Sequence, residues 1–322
     1  MAQLMLLDTP TLYFRAFFAL PDSMTAPDGR PVNAVRGTLD FITHLVTHYR
    51  PDRLIACFDA DWRPAFRVEL LPTYKAHRVV EEVAVPAAPD KGSASASVEE
   101  IPDTLTPQVA MLLEVLAAFG IADGWAPGFE ADDAIAAYAA LHRSTDGGPL
   151  DVVTGDRDMF QLISDAEGVR VFNIARGVAK LEILGDAELS AKYGVTGSQY
   201  ADFATLRGDP SDGLPGVAGV GEKTAAALIN EYGSLAELLS ALDDPGSALK
   251  PAVRKRLNDA TQYLAVAPDV VRVRADAPVT KADPVLPTIP AHPARLGELA
   301  GLYGLEGPIK RLTKALAAGA SA

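Results

Sequence analysis

The chain has 322 residues, 48% of them hydrophobic, so it is long enough for two domains, or one large domain with additions, around a sizeable core. Its single cysteine, Cys57, excludes an intramolecular disulfide, and no Cys/His set with zinc spacing occurs in the sequence. The formal net charge of −13 argues on its face against a nucleic-acid partner, unless part of it serves to hold cations.

The first seven residues are apolar but lack the basic start of a signal peptide, and Asp8 ends them. No apolar run reaches the ~18 residues of a membrane span, so the expectation is a soluble, cytoplasmic protein with no membrane partner. Gln3–Leu7 reads as a buried strand that delivers Asp8. Thr11–Phe18 follows as an aromatic-rich helical run carrying Arg15. Asn33–Tyr49 is an amphipathic helix, with Val35, Leu39, Ile42, Leu45 and Val46 at helical spacing. His44 and His48 lie on it without the glutamate of a zinc-protease motif, and read as a helix-surface pair. Leu54–Phe58 is a second buried strand, with Cys57 as a small core residue, and it delivers Asp59.

Residues 63–78 form a dense basic stretch, with Arg63, Arg67, Lys75, His77 and Arg78 interleaved with Phe66 and Tyr74. Val80–Glu100 is low in complexity and reads as flexible. Thr106-Pro107 caps a helix that runs to about Phe119.

The stretch Gly128–Asp158 organises the chain. Glu130, Asp132 and Asp133 open an Ala-rich helical run, and a loop at 144–149 leads to the strand Leu150–Thr154, which ends in Gly155-Asp156-Arg157-Asp158. Ligands of α/β folds sit at the carboxyl ends of strands, which brings these acids to one crevice. Carboxylates a few ångströms apart repel by ~1 kcal/mol per pair in water and ~4 kcal/mol at a near-surface dielectric. A hard divalent cation removes that penalty, and magnesium prefers a few carboxylates, several waters and substrate phosphate. Glu130 and Asp133 share a helix face while Asp132 lies round the side, and in an extended segment Asp156 and Asp158 point the same way. The plain alternative is that the first three only complement a helix macrodipole and the last two only make a turn.

Beyond Asp158, Val169–Asn173 and Val178–Glu182 flank Ala175-Arg176-Gly177 as a hairpin. From Asp186 the pattern becomes helical, with helices at Ser198–Arg207 and Glu222–Tyr232 and Ser234 capping the next. Between the first two lies a compact turn-rich segment, 208–221. Gly216–Thr224 falls one residue short of a nucleotide-binding P-loop, because Glu222 is inserted and no strand precedes it. A hairpin between helices fits better, its glycines letting backbone amides approach a DNA phosphate. Val270–Val273 reads as a strand, and two helices follow near Arg295–Tyr303 and Pro308–Ala317, with a disordered end.

Taken together, Leu7-Asp8 with Tyr13–Phe17, Phe58-Asp59, Tyr74–Arg78, Gly128–Asp133, Thr154–Asp158 and Gly208–Thr224 resemble, in order and spacing, the bacterial 5′-nucleases. These are the 5′–3′ exonuclease and flap endonuclease domains fused to family-A DNA polymerases, or standing alone. The resemblance covers roughly Leu4 to Ala265. It implies an α/β fold: a mixed, largely parallel sheet sandwiched by helices, a helical arch and a helix–three-turn–helix module. The core with its arch (about 63–105) is expected at 1–184, and the module with a helical extension at 185–322. By position, Asp8, Asp59, Glu130, Asp132 and Asp133 look like a first metal site, and Asp156, Asp158, Asp209 and Asp212 like a second, for two Mg2+ or Mn2+ ions. Lys75 and Arg78 fall where arch cations meet the scissile phosphate. Arg15, Tyr74, Gly216, Gly219, Gly221, Lys223 and Thr224 are the implied DNA contacts, and backbone oxygens of Leu214, Val217 and Val220 the implied potassium ligands.

Thr9 and Gly213 depart from the family's usual Gly and Asn, and the 79–100 stretch is unusually long, with Glu81, Glu82, Glu99 and Glu100. The chain ending at Ala322 suggests a stand-alone enzyme, without a polymerase, acting as a monomer on DNA with a 5′ end or flap. Tyr13, Phe14 or Tyr74 could instead stack on a terminal base or belong to the core. Two other readings stay open: a structure-specific DNA-binding protein without catalysis, and a metal-dependent small-nuclease ribonuclease.

Overall fold

The computed structural model describes residues 3–85, 94–99, 101–145 and 147–319. Expectations placed on 86–93, Glu100, Asp146 and 320–322 lie outside these.

The strands are β1 (Leu4–Asp8), β2 (Arg53–Cys57), β3 (Val79–Val85), β4 (Ala94–Glu99), β5 (Ala122–Gly124), β6 (Leu150–Thr154), β7 (Val169–Asn173) and β8 (Glu182–Leu184). The helices are α1 (Thr9–Ala19), α2 (Asn33–Tyr49), α3 (Ala65–Leu70), α4 (Thr106–Phe119), α5 (Ala131–Thr145), α6 (Asp186–Tyr193), α7 (Gly197–Arg207), α8 (Glu222–Tyr232), α9 (Leu235–Asp243), α10 (Pro251–Asp259), α11 (Thr261–Leu264), α12 (Ala267–Val271), α13 (Pro293–Tyr303) and α14 (Glu306–Gly319).

Contacts divide the chain into two units. The first is Met1–Ala60, Ile101–Gly185 and Arg274–Ala322; the second is Asp61–Glu100 and Asp186–Val273. The units are thus discontinuous, where the sequence reading drew one boundary near 184. The arch segment groups with the helical unit, and the C-terminal extension returns to the sheet.

The first unit is built on a six-stranded sheet of order β5-β2-β1-β6-β7-β8. All neighbours are parallel except the β7–β8 pair. Strands buried on both faces read as continuous apolar runs, and β1, Leu-Met-Leu-Leu-Asp, is buried throughout. Alternation splits them. Met5, Leu7, Leu54, Ala56 and Val153 join a core with side chains of α2, α4, α13 and α14. Leu6, Ile55, Cys57 and Val152, equally buried, face the other way, the side of α5, which packs on β1 and β2.

The second unit gathers α3 and α6–α12. Thr196 and Gln199 form a capping box at the start of α7. Arg67 is buried; its Nε donates to the Val270 carbonyl at 2.9 Å and its guanidinium lies over Phe66. Arg63 is buried too, with Nε on the Tyr74 carbonyl at 2.7 Å. Two of the five basic residues in the stretch, Arg63 and Arg67, are therefore internal scaffolding.

Three local readings are corrected. Val270–Val273 is not a strand: Val270 and Val271 are buried in α12, which packs against α7 and α3 after Pro268 at its start, and packing overrides β-branched propensity. The hairpin after β7 exists, but residues 178–180 form a 3-10 turn and the second strand begins only at Glu182. The stretch read as a flexible linker pairs its described ends, β3 with β4, in an antiparallel ladder from Val79↔Glu99 to Val85↔Ala94.

Candidate active site

Strand β1 lies at the point where the sheet order reverses. The chain steps from β1 to β2 and β5 on one side, then returns to β6 and β7 on the other. The crevice outside the carboxyl ends at such a reversal is where open α/β sheets place ligands. Asp8 ends β1 there, and Thr154 ends β6 beside it.

Asp8 is held from both neighbours. Its carboxylate accepts from Thr11 N at 3.1 Å, Thr11 Oγ1 at 2.5 Å and Thr154 Oγ1 at 2.6 Å. Thr154 Oγ1 in turn accepts from Asp156 N at 2.8 Å. A buried hydroxyl thus ties the two acids at the switch point into one chain of hydrogen bonds. Asp156 Oδ1 accepts from Asp158 N at 2.9 Å, and Asp158 opens a 3-10 turn. The extended geometry expected for Asp156 and Asp158 is replaced by an Asx turn, because the strand stops at Thr154.

The acids on the α5 side have different surroundings. Asp59, two residues past β2, accepts from Ala131 N at 2.7 Å and caps α5. Asp133 is fully buried, with its two oxygens on backbone amides: Glu130 N at 3.3 Å and Arg274 N at 2.8 Å. Glu130 is also buried, while Asp132 is half-buried and Asp156 exposed. Burial pushes the Cys57 thiol well above its ordinary pKa, and the charges of Asp8 and Asp132 add to the rise. Burial likewise lifts the Asp8 carboxyl above the usual range; Thr11 and Thr154 oppose the rise, and the Asp156 charge adds to it.

These residues fit a hard cation in kind: oxygen donors alone, with Asp8, Glu130 and Asp133 buried and the Asp8 and Asp156 charges opposed. Among the described residues no three Asp, Glu, His or Cys side chains converge as a closed ligand cage. Magnesium does not require one, since it keeps several waters and takes one or two carboxylates plus substrate phosphate. Arg15 lies beside this end of the sheet: a side chain at Gly155 would sit 3.5 Å from Arg15 Nη2 and 3.0 Å from Thr11 Cγ2. Tyr13 is a core residue, whereas Phe18, packed edge-on to Phe17, is 72% exposed.

In the second unit, Asp209 caps a 3-10 turn, accepting from Ser211 N at 2.9 Å and lying 3.4 Å from Arg207 Nη2. Asp212 accepts from Arg78 Nη2 at 3.1 Å, and its carbonyl accepts from Lys75 N at 3.0 Å. Lys75 adopts a left-handed φ of 47° with its ammonium over the Tyr74 ring, and Tyr74 is buried. Two predicted catalytic cations and two predicted metal ligands thus share one loop pair. Gly213 is required there: its φ is 74°, and a Cβ would lie 2.0 Å from the Thr73 carbonyl oxygen.

The hairpin glycines differ. Gly216 is buried, and a Cβ on it would sit 2.4 Å from the Arg207 oxygen. Gly219 is exposed and its carbonyl accepts from Arg256 Nη1 at 3.0 Å. Gly221 is open on all sides and begins α8, with Lys223 exposed and Thr224 half-buried in its first turn. Leu214, Val217 and Val220 are buried; the Leu214 and Val217 oxygens already accept from Asp209 N and Val220 N.

Residues 3–194 match the 5′-3′ exonuclease N-terminal resolvase-like domain, and residues 195–289 the 5′-3′ exonuclease C-terminal SAM fold. The chain belongs to the 5′-3′ exonuclease family. It is 56% identical over 314 residues to a 5′-3′ exonuclease of Streptomyces coelicolor, covering 98% of this chain and 100% of that protein. It is 42% identical over 258 residues to a DNA polymerase I of Mycobacterium bovis, covering 80% of this chain and 25% of the polymerase. A phage T5 5′-exonuclease solved with bound zinc shares the fold, with a TM-score of 0.61 at 19% identity, over 99% of each chain.

As a 5′-3′ exonuclease family member, the chain also carries supports that its motifs do not announce. Thr154 and Thr11 hold Asp8; Thr154 opens the 154–158 stretch, but nothing in that stretch states this role, and Thr11 is marked only by its place beside a strand-end acid. The Arg274 amide on Asp133 spans 141 positions and has no sequence mark. Arg256 at Gly219 lies in α10, outside every motif. Among the described residues no helix is long and apolar enough to cross a membrane.

Proposed function

We propose that the chain is a divalent-metal-dependent hydrolase of DNA phosphodiester bonds, a 5′–3′ exonuclease and flap endonuclease that works as a monomer on DNA with a 5′ end or flap. One observation carries this reading: two strand-end acids, Asp8 and Asp156, coupled through the buried Thr154 at the reversal point of a largely parallel sheet. Asp8, Asp156 and Asp132 would hold the cation, with Asp59, Glu130 and Asp158 around them. Bound there, Mg2+ or Mn2+ would supply an acidified water and positive charge for the leaving oxygen.

The chain's own groups do the rest. Thr11 and Thr154 orient Asp8, so its oxygens need little reorganisation when a phosphate arrives. Lys75 and Arg78 would offset charge developing on the phosphate. The amides at the start of α8, where a Cβ on Gly221 would meet nothing within 4 Å, would take backbone phosphates, which carry no sequence information and suit a structure-specific enzyme. Asp209 and Asp212 as ligands, Asp133 as a ligand, and potassium at Leu214, Val217 and Val220 rest on the motif resemblance.

The test is cleavage of a 5′-flapped DNA duplex with and without magnesium, beside the same flap in RNA. Cut DNA only with metal supports the reading. Tight binding without cutting would make the chain a non-catalytic binder, and a preference for RNA would make it a ribonuclease.

A further inference from the structure

At the opposite end of the sheet from Asp8, the first unit has an open cavity of about 400 Å³. Its walls begin at the starts of β1 and β2, with Leu4, Arg53 and Ile55, where the acid site uses the strand ends. The C-terminal half of α5 supplies Tyr138 and His142, and the returning segment supplies Thr280 and Lys281. The volume falls in the range of small-molecule sites, roughly 300–1,000 Å³.

The cavity is built rather than incidental. Tyr138 donates to the Thr280 carbonyl at 2.7 Å, Thr280 N to the Trp125 carbonyl at 2.9 Å and Leu54 N to the Pro284 carbonyl at 2.7 Å, so the returning segment is tied down on both sides. His142 is buried, with Nε2 3.0 Å from the Gly148 carbonyl, which assigns that nitrogen the proton. Its Nδ1 then faces Arg53 Nη2 at 3.5 Å.

Charge selects the occupant. The chain carries 42 acids against 29 Lys and Arg, yet Arg53 and Lys281 line this cavity and, among the described residues, no acid does. Apolar walls with a few placed cations suit a flat apolar ring bearing one anionic group. We infer that this cavity is a second ligand site, separate from the acid crevice, that takes a nucleoside monophosphate: the phosphate toward Arg53 and Lys281, the ring against the apolar wall of Leu141, Val279 and Pro284. The inference does not depend on the nuclease reading.

The experiment is calorimetric titration of the full chain with dAMP, deoxyadenosine and inorganic phosphate, in EDTA so that no cation can recruit nucleotide to the acids. One dAMP per chain is expected, with deoxyadenosine and phosphate each binding roughly tenfold more weakly or worse. Lys281→Glu, on an exposed position, should weaken dAMP by roughly tenfold or more. Ala282→Trp should fill the cavity and abolish binding. Absence of dAMP binding, or equal binding by the chain and both variants, overturns the site.

Discussion

The Thr154 hydroxyl donates to Asp8 Oδ2 at 2.6 Å, across the pair of strands where the sheet order reverses. The same oxygen takes the Asp156 amide at 2.8 Å. A fully buried residue therefore sets the orientation of one strand-end acid and the backbone of the other.

Replacing Thr154 with Val keeps the β-branched shape and removes both hydrogen bonds. Loss of such an outer partner costs roughly 10–100-fold in activity or metal affinity. Thr154→Val should lower kcat in that range and raise the magnesium needed for half-maximal rate, while duplex affinity stays level. Thr154→Ser should restore most of the rate. Equal rates for Val and Thr would remove Thr154 from the positioning of Asp8.

Asp156→Asn and Asp132→Asn should lower cleavage by about 10²–10³-fold, the scale seen when one preorganised electrostatic group is lost. Stability should move the other way in EDTA. Asp156 raises the Asp8 pKa, so its charge destabilises the metal-free fold at neutral pH. The sign follows from linkage: an acid with a raised folded pKa loses stability as pH climbs through that value, and removing the neighbouring charge restores some of it. A melting scan in EDTA that shows no gain for Asp156→Asn would mean the two carboxylates do not feel each other.

Much of this was legible in the sequence, for a physical reason. Strands buried on both faces leave continuous apolar runs, so β1, β2 and β6 and the acids at their ends stand out. The α2 helix announced itself by its spacing and α8 by its terminal glycine. What stayed hidden depends on distant partners. Gly213 departs from the family's Asn because the Thr73 carbonyl, 140 positions away in sequence, leaves no room for a side chain. Arg63 and Arg67 read only as members of a basic stretch until their carbonyl partners are seen. The α12 segment reads as β-branched until α3 and α7 close on it.

Lys75 and Arg78 should separate in their kinetics. Lys75 keeps its ammonium over Tyr74, while Arg78 already bridges Asp212 and the Ser211 carbonyl. Lys75→Ala should lower the rate at saturating substrate more than it raises KM, because its contact matters most as charge develops. Arg78→Ala should also slow cleavage but shift stability by less than ~1 kcal/mol, since partly exposed ion pairs contribute little. Single-turnover rates and binding curves on one flap substrate decide both. A pure loss of affinity in Lys75→Ala would make it a docking residue.

The hairpin glycines offer a matched pair. Gly216 has a φ of 64°, and an added Cβ would lie 2.4 Å from the Arg207 oxygen, so Gly216→Ala should destabilise by roughly 2–4 kcal/mol. Gly221 meets nothing within 4 Å, so Gly221→Ala should stay within ~0.5 kcal/mol of the parent. It should nonetheless weaken duplex binding alike for all sequences, because the methyl group stands where a phosphate would approach the amides. Unchanged duplex affinity in Gly221→Ala would place the DNA grip elsewhere.

Cys57 gives a readout of the site that needs no DNA. It is the one cysteine in the chain, fully buried at the end of β2 and paired in register with Asp8. Burial first, and then the charges of Asp8 and Asp132, push its thiol well above the ordinary 9.0. The reactive species is the thiolate, so a disulfide reagent at pH 8 should label the folded chain only through opening of β2. Labelling should be prompt in urea and slower by orders of magnitude in buffer. Adding magnesium binds the folded form alone and should slow it further, by a factor that grows with concentration once the ion exceeds its dissociation constant. Asp132→Asn should weaken that magnesium effect while leaving the urea rate untouched. Magnesium-independent labelling would show that no cation binds next to Cys57, and would move the metal away from Asp8 and Asp132 even if cleavage still required it.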